Sequence, residues 1–145
     1  MRGTEGRLDG VWWLLRVTLG AGALLAGVDK FFDKLATWSM YLSPLAERLL
    51  PVSGAAFLRA TGVLEAAIGL AILTRWTRAG AYALALWLAA ISVNLAAAGS
   101  FWDLVLRDLG NAAAALALAR LTAWRAAVDD RPMLSTPVPG AVVKA

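Results

Sequence analysis

Leu58 to Thr74 reads LRATGVLEAAIGLAILT, an apolar run with a single carboxylate, Glu65, near its middle. A run of that length approaches the roughly 20 residues with which a helix crosses the hydrocarbon of a bilayer. An ionisable group at that depth costs at least about 2.5 to 3.5 kcal/mol. Glu65 therefore needs a partner, a proton or a function. The rest of the chain points the same way: of 145 residues, 60% are hydrophobic and 17% charged, and mean hydropathy is +0.66. One soluble core cannot hide that much apolar surface, so the composition predicts an integral membrane protein.

Two absences narrow the chemistry. There is no Cys and no His, which removes thiol exchange, thiolate nucleophiles, iron–sulfur clusters, Cys/His zinc sites and His-ligated haem from this polypeptide acting alone. No catalytic or metal-ligating residues are assigned, and no covalent or metal-held cofactor is expected. The net charge of +4 and pI near 10.1 do not signal nucleic acid, because the basic residues lie between apolar runs and form no dense stripe.

Outward from the opening stretch the chain divides into four spans, predicted over about 11–32, 54–74, 79–99 and 104–124. The first, which starts after a short polar tail over 1–10, resembles a signal peptide in its small residues Ala21, Gly22 and Ala23, but Arg16 inside it argues for an uncleaved span. Residues 33–53 are too polar to span and too apolar to float free. Bounded by Pro44 and Pro51 and carrying Trp38 and Tyr41, they suit an amphipathic interfacial segment closing one end of the bundle. Beyond Arg125 the chain turns polar and Pro-rich, and 125–145 is expected to be a disordered tail. The expected fold is all-α: an antiparallel four-helix membrane bundle with an interfacial segment between helices 1 and 2.

Lys and Arg in the short loops set orientation. Arg2, Arg7, Arg75, Arg78, Arg125, Arg131 and Lys144 fall on one side, and Lys30, Lys34 and Arg48 on the other. The positive-inside rule then places both termini in the cytoplasm.

Depth along antiparallel helices, at 1.5 Å per residue, brings several polar residues inside the bundle. Glu65 comes near the midplane, and Arg16 lies where its long stem could reach it. Asn94, Arg107, Asp108 and Asn111 occupy the outer half, with Asp108 and Asn111 on one helical face. These six residues form either a lock between helices or the lining of a cavity for a proton, a lipid or a quinone headgroup. Asp29, Lys30, Asp33 and Lys34 read as a solvated surface patch, with Asp29 and Asp33 too few to signal a cation site. Small residues at Gly20, Gly22, Gly27, Gly62, Ala66, Gly69 and Gly80 suit close helix packing.

LLRVTLGAGALLAGVDKFFD in the first span, GVLEAAIGLAILTR in the second, Asn94-Leu95 in the third and RDLG in the fourth, with Trp38 to Leu45 between the first two, resemble the DoxX family over roughly residues 14–121. The resemblance implies a four-helix bundle in the bacterial inner membrane. It also implies association with thiosulfate:quinone oxidoreductase or with complexes that manage thiol redox balance. Without Cys, a dithiol route cannot run through this chain alone. The expected role is a non-catalytic accessory or scaffold subunit of a membrane redox or respiratory complex. The alternative is a quinone- or lipid-binding subunit of a membrane oxidoreductase. Expected partners are the bilayer and other membrane subunits, with homo-oligomers open and nucleic acid excluded.

Overall fold

The computed structural model describes residues 2–129, which are helical with no strand among them. Helix α1 spans Arg2–Asp29, α2 Pro44–Leu49, α3 Gly54–Leu73, α4 Thr77–Ala98 and α5 Trp102–Asp129, with a 3-10 turn at Trp38–Tyr41. The four long helices pack in a cycle, α1 on α3, α3 on α4, α4 on α5 and α5 back on α1, the last contact being the smallest. The expected tail lies outside the described residues from 130 on, while 125–129 complete α5.

Among the described residues three helical segments are long and apolar enough to cross a membrane: Leu8–Asp29, Gly54–Leu73 and Thr77–Ala98. The fourth expected span is present as a helix but falls short of them in hydropathy, because Arg107, Asp108, Asn111 and Arg120 interrupt α5. The segment ahead of Val11 is helical from Arg2 rather than irregular. Leu14, Leu25, Val63, Leu86, Val93 and Leu106 stand exposed on the long helices. Apolar surface on this scale suits contact with lipid.

Local chemistry sets the boundaries. Ser53 Oγ accepts from Ala56 N at 3.3 Å to start α3, and Ser43 Oγ accepts from Ala46 N at 3.1 Å, with Pro44 at the first position of α2. Such caps satisfy amide donors that the first helical turn leaves unpaired. Gly99, at φ 76°, stops α4 in the left-handed conformation, which glycine adopts without a Cβ penalty.

Glycines fix the α1/α3 register. A Cβ built on Gly27 would lie 2.5 Å from Ala66 N and Gly62 O, and one on Gly69 would lie 2.5 Å from Leu24 N and 2.7 Å from Gly20 O. Backbone therefore rides directly on backbone, which only small residues permit. Elsewhere the core is built from Ile68, Ile72, Ala81, Leu84, Ala115 and Leu118, with Trp12 closing the end near the chain's start. There Trp12 Nε1 donates to Thr122 Oγ1 at 2.8 Å, and Arg125, stacked on the Trp12 ring, pairs with Asp9.

Candidate functional site

Glu65, 5% exposed on α3, has its partner, and it is Lys30. Lys30 Nζ donates to Glu65 Oε2 at 2.5 Å, and Trp87 Nε1, from α4, donates to Glu65 Oε1 at 2.8 Å. Both carboxylate oxygens are thereby engaged, one by a donor just past the end of α1 and the other by a donor on α4. Lys30 is covered in turn: its Nζ sits 3.7 Å from the centroid of the Trp38 ring. A desolvated cation over an indole face gains about 2 kcal/mol.

Trp38 is held in place by Asp29, whose Oδ2 accepts from Trp38 Nε1 at 2.9 Å. The same carboxylate accepts from the backbone amides of Lys34, Leu35 and Ala36 at 2.9, 2.9 and 3.3 Å. Asp29 thus organises the turn that follows α1. Asp33 adopts φ 50° and takes a bond from Trp38 N at 3.3 Å, a left-handed conformation that Asp tolerates. The solvated patch expected at 29–34 is therefore corrected for Asp29 and Lys30: the residues after α1 fold back over its end and shield both from water. Among the described residues no group of acidic side chains is arranged to hold a metal ion.

Arg16 does not meet Glu65. Its Nε donates to Ile72 O at 2.9 Å and its Nη2 to Leu73 O and Thr74 O at 2.7 Å each, and the guanidinium lies 4.8 and 4.9 Å from the ring centroids of Trp12 and Trp13, which meet edge to face. The expected pairing is corrected by this arrangement. α1 runs antiparallel to α3 with Gly27 against Gly62 and Gly20 against Gly69, so residue 16 falls opposite the last turn of α3. That turn presents unpaired carbonyls at the negative end of the helix dipole, where a guanidinium is favoured.

Asn94 is also committed to structure. Its Nδ2 donates to Tyr41 O at 2.7 Å and its Oδ1 accepts from Ser43 N at 3.1 Å. One amide side chain on α4 thus clamps the segment between α1 and α3 over the bundle's end. Tyr41 packs edge-on against Phe101 and Trp38. On α5, Asp108 is buried and accepts from Arg107 Nε at 3.0 Å, while the Arg107 side chain is 59% exposed and Asn111 is exposed.

These residues surround a cavity of about 630 Å³ between the helices. Glu65, Asn94, Arg107, Asp108 and Asn111 line it with Trp38 and Tyr41, and Arg16 does not. Lys30 and Trp87 line it too. Its charged lining residues are Lys30 and Arg107 against Glu65 and Asp108, so the charges balance. Thr18 and Thr61 add hydroxyls, and the remaining wall is mostly apolar, from Leu19, Ala23, Leu58, Leu84, Leu88 and Ile91.

Lys30 is the residue that counting depth along each helix misses, because it lies at the end of α1 and would be assigned to solvent. The signal is in the glycines. Gly20 and Gly27 have the same spacing as Gly62 and Gly69; pairing them antiparallel sets Gly27 on Gly62, and Lys30, three residues further along, then packs its Cβ against Gly62, one helical turn from Glu65.

No family model, no curated protein and no solved structure matches this chain. The likeness to DoxX proteins rests on the quoted motifs alone.

Proposed function

We propose that the chain is a DoxX-like, multi-pass protein of the bacterial inner membrane, a four-helix bundle with both termini cytoplasmic, that receives the headgroup of a quinone or neutral lipid in the cavity beside Lys30 and Glu65. The observation that carries this reading is the composition of the cavity wall: a charge-balanced set of four ionisable side chains with a few neutral polar groups, set among mostly aliphatic and aromatic side chains. Sites for small molecules combine apolar walls with a few placed polar groups in this way. Because the charges balance, an uncharged hydrogen-bonding head suits the cavity better than a phosphate, which would arrive without a free cation to meet it. With no Cys or His, redox chemistry at such a ligand would use a partner's groups. The protein then serves as an accessory subunit of a membrane redox complex, and gentle purification that always yields it alone would count against that role.

Binding of decylubiquinone to the protein in phosphatidylcholine vesicles tests the site. Replacing Glu65 by Gln keeps the shape but leaves Lys30 without its counter-charge, and it should weaken binding by about tenfold. Unchanged affinity in a folded Glu65→Gln variant overturns the assignment. So does saturable binding of phosphatidylglycerol with none of the quinone.

A further inference from the structure

The cavity is closed along the helix axes but open from the side. At one end it is roofed by Ala36, Trp38, Tyr41, Leu42 and Ala46, the segment that Asn94 clamps down. At the other end the core around Trp12, Ile72 and Leu118 fills the space. Between α1 and α5 the situation differs. These helices are tied together at Asp9, Trp12, Thr122 and Arg125, and they make the least extensive contact in the cycle. Continuing the antiparallel register set by Trp12 against Thr122 brings Gly22 opposite Asn111 and Ala112. Thr18 and Gly22 on α1, with Arg107 and Asn111 on α5, line the cavity yet are exposed. A Cβ built on Gly22 meets no atom within 4 Å. Gly22 lies within the apolar segment Leu8–Asp29, about 20 Å along it from Leu8 at helical rise. An opening at that position faces hydrocarbon when the helix crosses a bilayer.

We propose that the gap between α1 and α5 at Gly22 and Asn111 is a lateral portal through which a molecule with an uncharged polar head and an alkyl tail passes from the bilayer, head inward to Lys30 and Glu65 and tail left lying in the portal. The proposal rests on the cavity reading above and adds the route and orientation of the ligand. Lys30 and Glu65 sit inward of the opening, whose rim carries the polar side chains of Thr18, Arg107 and Asn111, and the flanking helices expose aliphatic surface at Leu14, Leu25 and Leu106, so the head of a molecule arriving from lipid passes a polar rim while its tail trails toward the hydrocarbon.

The absence of native cysteine gives a direct test. Single-cysteine variants Gly22→Cys and Gly110→Cys are reconstituted in phosphatidylcholine vesicles and labelled with pyrene maleimide, which partitions into the lipid. Gly110 also has open space around it but does not line the cavity. At a decylubiquinone concentration about ten times its Kd, roughly a tenth of the sites remain empty, so labelling at Gly22→Cys should slow by about tenfold while labelling at Gly110→Cys is unchanged. A second variant, Gly22→Phe, fills the opening and should weaken binding by about tenfold by displacing a methylene or two of the tail. No protection at Gly22→Cys, or equal protection at both positions, overturns the portal while leaving the cavity site standing. Failure of the unsubstituted protein to bind the quinone overturns both.

Discussion

Lys30 Nζ lies 2.5 Å from Glu65 Oε2, and each side chain is only 6% exposed. A cation at the end of α1 and a carboxylate midway along α3 are thus a single buried unit, sealed by the Trp38 ring on one side and by the Trp87 indole N–H on the other. Removing one member of such a pair strands the other. Lys30→Met should cost about 3 to 5 kcal/mol of stability, whereas Lys30→Met combined with Glu65→Leu should recover most of it, because an uncharged pair carries no desolvation debt. Reversible unfolding in mixed micelles with increasing dodecyl sulfate measures both, and a double variant as unstable as the single one would contradict the pairing.

Arg16 and Glu65 serve different ends of α3 and should behave independently. Arg16→Met removes three hydrogen bonds to the last carbonyls of α3 and should cost about 1.5 to 3 kcal/mol, less than three charged bonds would sum to because one carbonyl is exposed. In a double-mutant cycle with Glu65→Gln the two losses should add to within about 0.5 kcal/mol. A larger coupling would mean that the guanidinium and the carboxylate interact after all.

Apolar run length was enough to place three helices suited to crossing a membrane, while depth along antiparallel spans grouped Glu65, Asn94, Arg107, Asp108 and Asn111, which line the cavity, with Arg16, which does not, and left out Lys30. What those rules did not supply was the pairing. The reach of its long stem made Arg16 a candidate partner of Glu65, but depth says nothing about which way a side chain leaves its helix. The Gly20/Gly27 and Gly62/Gly69 spacing turns α1 so that Arg16 reaches the end of α3. That residues 33–53 close one end of the bundle was expected, but the turn after Asp29 that begins the closure was hidden, since it depends on one carboxylate gathering three backbone amides and an indole. That arrangement has no periodic signature. α5 shows the converse: its charges lower its hydropathy because part of the helix faces a polar cavity instead of lipid.

Asn94 is the fastening of the segment that roofs the cavity. Asn94→Leu deletes its bonds to Tyr41 O and Ser43 N and leaves those two backbone groups to find water. Hydrogen exchange at the Ser43 amide should accelerate by about tenfold or more, with the amides of Ile68 and Ile72 in α3 unaffected, because opening is confined to the roof. Acceleration throughout α3 would show instead that the roof and the helices open as one unit.

Close approach of α1 to α3 makes Gly27 and Gly69 the positions least able to accept a side chain. At either one a new Cβ would fall 2.5 Å from backbone nitrogen of the facing helix, and backbone cannot swing aside as the tip of a side chain can. Gly27→Leu should separate the helices, lengthen the distance from Lys30 to Glu65 and cost about 1 to 3 kcal/mol or more. Gly110→Leu adds the same side chain on α5 where no atom lies within 4 Å, and it should leave the unfolding midpoint unchanged or slightly raised. The comparison separates steric separation from any general effect of replacing glycine in a helix, which by itself favours the substituted chain by up to about 1 kcal/mol. If Gly27→Leu were as stable as Gly110→Leu, the register that brings Lys30 to Glu65 would have to be redrawn.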